Sequence, residues 1–243
     1  MITLEVCANS IKSAITAEQG GAVRVELCDN LAEGGITPTH EVIDQARQLL
    51  NIDLFVLIRP RSGDFVYNDA EYNTIIKDIR FCAEVGCNGV VIGILDKDGY
   101  IDIDRNQKLA NLAHQLGMEC TFHRAIDRCN NIIGSLELII DMGFDRILTS
   151  GGYPTAVEGA DIIRQLITKA NNRISIMPGS GITENNIHHL AQLTGLKEFH
   201  GSFRSLQKTA IDNSVETDDG SYANELLLTD IDKVKKAIEE ANK

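Results

Sequence analysis

Short apolar runs rich in β-branched residues recur along the chain at intervals of roughly 20 to 35 residues, each followed by a segment with helical spacing. Runs of this length are typical of buried strands, and apolar positions at i, i+3 and i+4 predict helices that cover them. The predicted strands span residues 2–8, 23–28, 54–59, 89–93, 119–124, 145–150, 173–178 and 198–201. The pattern therefore predicts eight successive βα units.

The segment after the third strand illustrates how the helices begin and end. Asn68 and Glu71 have the spacing of a capping box, and Gly86 lies where the helix is expected to stop. The apolar stripe between them comprises Ile75, Ile76, Ile79, Ala83 and Val85. Similar stripes end before Gly117 and Gly143, so these connecting segments are expected to be helices packed on a sheet.

Eight βα units are the number that closes a (β/α)8 TIM barrel, and 243 residues match the roughly 250 that are typical of this fold. We therefore expect one α/β domain over residues 1–243. An open doubly wound sheet is the alternative, but it would normally carry a glycine-rich loop after the first strand, and residues 7–10 contain no glycine. Residues 205–224 are polar and acidic and predict an irregular excursion before a last helix from near Thr229 to Ala241.

The net charge and the hydropathy of the chain limit the kinds of partner it is expected to bind. The chain has 35 acidic and 23 basic residues and a net charge of −12, which opposes binding to nucleic acid. No apolar run approaches the roughly 20 residues that span a bilayer, and the first residues predict a strand rather than a secretory signal. We expect a soluble cytoplasmic protein that interacts with neither nucleic acid nor membrane, and self-association into a homo-oligomer is plausible for a barrel of this size.

Six cysteines are spread over a chain long enough to build a real core, which favours reduced thiols over a disulfide framework. Cys82 and Cys87 form an isolated C-x4-C pair at a predicted helix end. Because no second pair with zinc spacing accompanies them, packing is favoured over metal binding at these two positions.

The first two strands repeat one design. Glu5 precedes Cys7 by two residues, and Glu26 precedes Cys28 by two residues, so each glutamate shares a strand face with its cysteine. The carboxyl ends of barrel strands are where such folds keep their chemistry. These four side chains therefore point to a site, with a purely structural layer of buried ion pairs as the alternative.

Basic residues follow at the ends of the third and fifth strands. Arg59 and Arg61 flank Pro60, and we expect one of these arginines to pair with Glu5 or Glu26 inside the barrel. His123 lies at the end of the fifth strand, where it is either a hydrogen-bonded core histidine or a catalytic group.

Glycine-rich loops follow the seventh and eighth strands. Loops at these places, with a helix start behind them, commonly bind phosphate through backbone N–H groups. The candidate anion-binding residues are Gly179, Ser180, Gly181, Gly201 and Ser202. The alternative is that these glycines only permit tight turns, since a single Gly-x-Gly is weak evidence.

Several longer runs resemble the CutC family. They are residues 5–7 (EVC), 24–28 (RVELC), 33–38 (EGGITP), 58–65 (IRPRSGDF), 89–93 (GVVIG), 121–127 (TFHRAID), 146–151 (RILTSG) and 179–181 (GSG), with Asn185, Asn186 and His200. The resemblance extends to about Ser202 and implies a TIM barrel with a role in copper homeostasis. It also implies Cys7 and Cys28 as Cu(I) ligands, a metal that soft thiolates suit.

Two hypotheses follow from the sequence. The first is a Cu(I)-binding protein that uses Cys7 and Cys28, with modest preference over Zn(II) because no third and fourth ligand is evident. The second is a lyase or isomerase that acts on a small anionic or phosphorylated compound. The candidate catalytic groups are Glu5 or Glu26 as general base, His123 as general acid, and Arg59 and Arg61 as stabilisers of an anion. No nucleotide fingerprint is present, and no organic cofactor is expected.

Overall fold

The computed structural model describes residues 2–208 and 225–243, and its centre is an eight-stranded parallel sheet. The strands of this sheet are β1 (Thr3–Ala8), β2 (Arg24–Leu27), β3 (Asp53–Leu57), β4 (Gly89–Ile92), β5 (Glu119–Phe122), β6 (Arg146–Thr149), β7 (Ser175–Pro178) and β8 (Glu198–Gly201). The helices between and after them are α1 (Ile11–Gln19), α2 (His40–Leu49), α3 (Asp69–Glu84), α4 (Ile103–Gln115), α5 (Ile132–Asp141), α6 (Ala160–Ala170), α7 (Ile187–Thr194) and α8 (Ile231–Ala241).

Parallel ladders join the strands in the order β7-β6-β5-β4-β3-β2-β1-β8, and β7 meets β8 at the seam of a nearly closed barrel. Gly179 lies just after β7 at this seam, where an added Cβ would come within 3.2 Å of the His200 ring and 2.5 Å of Leu148. The (β/α)8 barrel predicted from the sequence is confirmed. The strand bounds lie within two residues of the predicted ones, and those of β8 agree at both ends; the differences arise because strand ends depend on the neighbouring ladder.

Alternation along the strands separates two packing faces. Outward residues such as Val6, Val25 and Leu27 belong to the large core between the sheet and the helices. Cys82 and Cys87 lie in that same outer core, which agrees with a packing role. Inward residues form a second, smaller cluster inside the barrel, comprising Cys7, Cys28, Phe55, Leu57 and Val91. The barrel interior therefore holds few apolar side chains and leaves room for polar ones.

The capping box at the start of α3 is confirmed. The Asn68 side chain accepts the Glu71 N–H at 3.0 Å, and the Glu71 carboxylate accepts the Asn68 N–H at 2.8 Å. Gly86, at a φ of +83°, follows the end of this helix. These local contacts hold the entry and exit of α3 against the barrel.

The segment after β8 differs in part from the sequence expectation. Arg204–Lys208 forms β9, which pairs antiparallel with β10 (Glu225–Thr229), and Leu206 lies opposite Leu227. The expectation of an irregular segment from Ser205 is wrong here, because five polar-rich residues carry little strand signal without their partner strand. The rest of the predicted excursion, residues 209–224, lies outside the described residues. The last helix is confirmed as α8.

Among the described helices, none combines the length and the apolar composition that a membrane span needs.

Candidate functional site

A buried ionic layer crosses the barrel interior. We define it by Glu5, Arg24, Arg146 and Glu198. Arg24 donates from Nε to Glu5 and from Nη2 to Glu198, and Arg146 Nε donates to Glu198 at 2.7 Å. Both guanidinium groups lie over the ring of Phe55, at 4.9 and 5.4 Å from its centroid. Every charge in this layer therefore has an opposite charge beside it.

The expected pairing of Glu5 with Arg59 or Arg61 is wrong. Arg24 is the residue aligned with Glu5 in the β1–β2 ladder, so its guanidinium reaches Glu5 first. Burial disfavours the charged form of Glu5, but Arg24 and His200 outweigh burial and hold the pKa of this carboxyl at about 2. Glu5 is thus ionised, and each of its carboxylate oxygens has a partner, Arg24 for one and His200 for the other.

Above this layer lies a thiol cluster, which we define as Cys7, Cys28, Glu26 and His200. The Sγ atoms of Cys7 and Cys28 are 3.4 Å apart. One donor atom each of Cys7, Glu26 and His200 lie within 4.8 Å of one another, and all three residues are buried. Glu26 and His200 therefore add two donors beside Cys7, a metal-ligand role that sequence reasoning did not assign to them, whereas Cys28 joins the cluster through its contact with Cys7.

The protonation of the thiol cluster reflects its burial and its like charges. The adjacent Cys28 thiol, burial and the Glu26 carboxylate all raise the pKa of Cys7 well above its usual range. Burial also raises the pKa of Glu26, against the opposing effect of His200. Cys7 is therefore a protonated thiol in the free protein near neutral pH, and a bound metal ion would have to displace its proton.

His200 links the thiol cluster to the ionic layer. Its Nδ1 lies 2.7 Å from Glu5 Oε1, and its Nε2 lies 3.6 Å from Glu26 Oε2. Burial lowers the pKa of His200, but the two glutamates outweigh burial and raise it. The sequence contained two signals for this residue, because His200 is among the residues that carry the family resemblance and it shares the inward strand face with Glu198 two residues earlier.

His123 occupies a different wall of the barrel mouth. Its Nδ1 accepts the N–H of Ala125 at 3.2 Å, so a neutral ring carries its proton on Nε2. Nε2 is buried and has no hydrogen-bond partner among the described residues. Burial first, and then Arg59, lower the pKa of His123 to about 3, which keeps the ring neutral. Gly93 makes room for this ring, since a Cβ there would come within 2.7 Å of it.

Arg59 is a buried cation held by loop carbonyls. Its Nη1 donates to the backbone oxygens of Glu33 and Gly35 at 3.2 and 2.7 Å, and its Nη2 donates to that of Gly63 at 2.8 Å. Nε has no partner, and no ion pair links Arg59 to a carboxylate within residues 2–208 and 225–243. The guanidinium lies 5.0 Å from the centroid of Phe65. The charge of Arg59 is therefore met by backbone carbonyls rather than by a carboxylate among the described residues.

Arg61 does not join this group. Its Nε donates to Glu71 at 2.6 Å and its Nη2 donates to Asp64 at 2.9 Å, and its side chain is 39% exposed. The sequence placed Arg61 beside Arg59 because alternate strand residues share a face. However, β3 ends at Leu57, so the two arginines lie in the loop that follows, where strand alternation no longer applies.

A cavity of 480 Å³ opens at the carboxyl ends of the strands. Its polar lining residues are Cys7, Glu26, Arg59, His123, Arg124, Ser180, Thr183, Glu184, His200, Ser202, Arg204 and Lys233. Gly181 and Gly201 also line it, whereas Glu5, Cys28 and Arg61 do not. Four cations and two carboxylates among these described residues make the cavity positive in a chain of net charge −12.

The loop after β7 contributes less than the sequence suggested. The N–H of Gly179 donates to the Thr149 oxygen at 2.9 Å, and Gly179 is absent from the cavity wall. Ser180 and Gly181 reach the wall with positive φ values of 80° and 69°. Helix α7 begins only at Ile187, beyond the residues of this loop that line the cavity. Anion binding by Ser180, Gly181, Gly201 and Ser202 stays a prediction.

Comparison with known proteins gives a consistent picture. The family model described as CutC family matches residues 2–205. A relative from Parabacteroides distasonis, named family protein CutC, is 48% identical over 84% of this chain and 83% of its own length. A mouse relative named copper homeostasis protein cutC homolog is 42% identical over 96% of this chain and 86% of its own length. A crystal structure of CutC from Streptococcus agalactiae matches with a TM-score of 0.78 and 37% identity, covering 83% of this chain and 99% of that one.

Proposed function

This chain belongs to the CutC family of copper homeostasis proteins, and from that premise we propose that it binds Cu(I) as cargo through Cys7 and Cys28. The observation that carries the proposal is the 3.4 Å separation of the two Sγ atoms, with donor atoms of Glu26 and His200 within 4.8 Å of that of Cys7. Thiolates are soft ligands that select Cu(I). The cavity gives this thiol cluster a path to solvent, because Cys7 lies in its wall.

The geometry favours a bent site over a linear one. A linear pair of thiolates with metal–sulfur bonds of ~2.3 Å would separate the sulfur atoms by about 4.6 Å. The 3.4 Å observed is shorter, so an ion bound without movement of the cysteines would lie to one side of the Sγ–Sγ line. That leaves a third position for another donor. With Glu26 or His200 in that position, Zn(II) also competes for the site. The preference for Cu(I) over Zn(II) should therefore be smaller than the sequence predicts.

Competitive Cu(I) titration under anaerobic, reducing conditions tests the proposal. We expect the Cys7→Ser, Cys28→Ser double variant to lose at least about a hundredfold in Cu(I) affinity, because both soft ligands are gone. Cys129→Ser is the matched control, since Cys129 is a partly exposed free cysteine outside the thiol cluster. A parallel titration with Zn(II) measures the selectivity. Equal Cu(I) affinity in the wild type and the double variant would remove copper from these cysteines.

A second candidate function is an enzyme of lyase or isomerase type that acts on a small anionic or phosphorylated compound. The observation that favours it is the cavity, whose 480 Å³ exceeds what a single ion needs and falls in the range of about 300–1,000 Å³ typical of small-molecule sites. Glu26 is the better general base, because its pKa is raised and it faces the cavity, whereas Glu5 is engaged by Arg24. The neutral His123 acts as a hydrogen-bond donor through Nε2, and Arg59 stabilises the anion.

Solvent deuterium exchange tests this second candidate. The protein is incubated in D2O with a panel of small phosphorylated and carboxylated carbonyl compounds, and deuterium incorporation at carbon is followed by mass spectrometry. We expect incorporation by the wild type to fall at least about a hundredfold in Glu26→Gln, the typical contribution of a general base. Incorporation that is identical in both proteins, or absent across the panel, counts against the enzyme.

Location and assembly belong to the same proposal. A cytosolic location is supported by the six cysteines being spread over a chain with a large core, unlike the dense disulfide framework of a small secreted domain. For self-association, the surface to test is the face of the β9–β10 hairpin that holds the exposed Leu206 and Leu227, which lie opposite each other in the ladder. Light scattering of the wild type and of Leu206→Ser would check it, with a smaller particle expected for the variant.

A further inference from the structure

The cavity extends well beyond the thiol cluster and is positively charged. Its lining contains Arg59, Arg124, Arg204 and Lys233 but only two carboxylates among the described residues. Arg124 pairs with Asp127 at 2.9 Å. The other three cations have no carboxylate partner within the described ranges, although the chain as a whole has 12 more negative than positive charges. A positive cavity in an acidic protein indicates an anionic occupant.

The unpaired groups also leave hydrogen-bond donors free. Arg59 Nε and His123 Nε2 are both buried, both belong to residues in the cavity wall, and neither has a partner among the described residues. Among the described residues, Arg204 Nε contacts only the Ser202 hydroxyl, at 3.3 Å, and Lys233 Nζ contacts the Arg204 backbone oxygen at 2.9 Å. Buried donors without acceptors carry a desolvation cost that a bound acceptor would remove.

Three of the four members of the thiol cluster, Cys7, Glu26 and His200, line this cavity. Cys7 lies in the cavity wall, whereas Cys28 packs behind it with Phe55, Leu57 and Val91. The short Sγ–Sγ distance leaves a bound Cu(I) with a vacant position to one side of the two sulfur atoms. The position that faces the cavity is accessible to an external ligand. A soft donor suits it better than the carboxylate of Glu26.

We propose that the cavity binds a small thiol bearing carboxylate groups, whose sulfur is the third ligand of Cu(I) at Cys7 and Cys28. Its carboxylates are held by Arg59, Arg204 and Lys233, and His123 Nε2 donates to an oxygen of the same molecule. The proposal rests on the Cu(I) function above, and it adds that the ion arrives as a complex with a small thiol. A cavity of 480 Å³ accommodates a ligand of short-peptide size.

Delivery of the ion is then a ligand exchange without electron transfer. Cu(I) arrives bound to two small thiolates. Bonds from copper to the sulfurs of Cys7 and Cys28 form, the bond to one small thiolate breaks, and the other small thiolate stays bound. The two cysteine protons leave, one on the departing thiolate and one to solvent. Copper stays Cu(I) throughout, and no oxidant or reductant is required.

Three probes distinguish the contribution of the ligand's sulfur from that of its carboxylates. Glutathione has both a thiol and carboxylates, 2-mercaptoethanol has a thiol without charge, and S-methylglutathione has the carboxylates with a blocked sulfur. Native mass spectrometry of the Cu(I)-loaded protein measures how much of each probe is retained, and X-ray absorption measures the number of sulfur ligands. We expect one glutathione per chain, three sulfur ligands, and at least tenfold weaker retention of the other two probes.

Variants test the cationic wall. The Arg204→Met, Lys233→Met double variant is preferred to one at Arg59, because Arg59 also holds three loop carbonyls. We expect this double variant to lose at least tenfold in glutathione retention. Arg164→Met, Lys235→Met is the matched control, with the same loss of charge at exposed positions outside the cavity wall, and it should retain glutathione as the wild type does.

The outcomes are distinguishable. Equal retention of glutathione and 2-mercaptoethanol, or equal losses in the two double variants, overturns the role of the cationic wall. Retention of S-methylglutathione as strong as that of glutathione overturns the role of the sulfur and leaves a simple anion site. A separate arm titrates Cu(I) without any small thiol. Cu(I) binding in this arm, together with no retention of glutathione in the first arm, refutes only the present inference. No Cu(I) binding in either arm refutes the proposed function as well.

Discussion

Two polar regions share the interior of one barrel, and they differ in how their charges are satisfied. In the ionic layer, Arg24 and Arg146 each contact Glu198, and Arg24 also contacts Glu5. In the cavity directly above, Arg59 Nε and His123 Nε2 have no partner among the described residues. A buried charge is costly unless it is paired. The ionic layer therefore satisfies its own charges, whereas the cavity wall leaves these two donors without an acceptor among the described residues.

The same contrast separates the two glutamates of the repeated Glu-x-Cys motif. Glu5 belongs to the ionic layer, and Arg24 with His200 lowers its pKa to about 2. Glu26 faces the cavity, and burial raises its pKa. The ladder pairs Glu5 with Arg24 but pairs Cys7 with Glu26, so a step of two residues along β1 exchanges a cation for a carboxylate. The two copies of the Glu-x-Cys motif thus meet opposite environments.

The largest effect is expected where the ionic layer is broken. Arg24→Met would leave Glu5 and Glu198 without their shared buried cation, so we expect the free energy of unfolding to fall by about 3–5 kcal/mol. Urea denaturation measures it. Arg173→Met removes an exposed ion pair with Glu137 and is expected to cost less than about 1 kcal/mol. Similar losses in the two variants would mean that the layer is not structural.

The two glutamates should respond differently to removal of their charge. Glu5→Gln is expected to lower the free energy of unfolding by about 3 kcal/mol at pH 7, because the native pKa of about 2 lies below the ordinary 4.5. Glu26→Gln is expected to change it by less than about 1 kcal/mol or to stabilise the fold, because the raised pKa shows that its charge is unfavourable there.

The pH dependence has opposite signs at these two positions. The stability that Glu5 contributes is present above pH 4.5, its ordinary pKa, and is lost as the pH falls toward 2. The stability that Glu26 contributes is present below its ordinary pKa and is lost as the pH rises through its raised one. Unfolding curves of both variants at pH 4 and pH 7 check the signs. Parallel curves for Glu5→Gln and Glu26→Gln would contradict the contrast between the two regions.

Proton competition should be visible in Cu(I) binding. Because the pKa of Cys7 is raised well above its usual range, this thiol is protonated between pH 6 and pH 8. Each unit of pH should therefore raise the apparent Cu(I) affinity by about tenfold for this one displaced proton. Competitive titrations at several pH values measure the slope. A flat profile in the wild type would show that Cys7 is not a ligand.

The smallest effect is expected at Arg61, which the sequence grouped with Arg59. Its ion pairs with Asp64 and Glu71 are partly exposed, so Arg61→Met should lower the free energy of unfolding by about 1 kcal/mol or less. Thermal unfolding measures it against the wild type. A loss comparable to that of Arg24→Met would show that the loop ion pairs matter as much as the ionic layer.

Several features could be predicted from local sequence because their physics is local. The βα rhythm specifies strands and helices through periodicity, and eight units close a barrel. The capping box of Asn68 and Glu71 depends on residues three apart. The shared face of Glu5 with Cys7, and of Glu26 with Cys28, follows from strand alternation alone. These features needed no knowledge of distant contacts.

Features that join distant strands were decided only by the tertiary structure. Arg24 rather than Arg59 pairs with Glu5 because the β1–β2 register aligns them, and His200 joins the thiol cluster because β8 closes on β1. The β9–β10 hairpin likewise depends on a partner strand some twenty residues away. By itself, the sequence determined which residues face into the barrel, through a period of two that each strand carries alone. Which of them meet was decided by register and closure, since the partner of a buried charge is set by geometry across strands rather than by position along one.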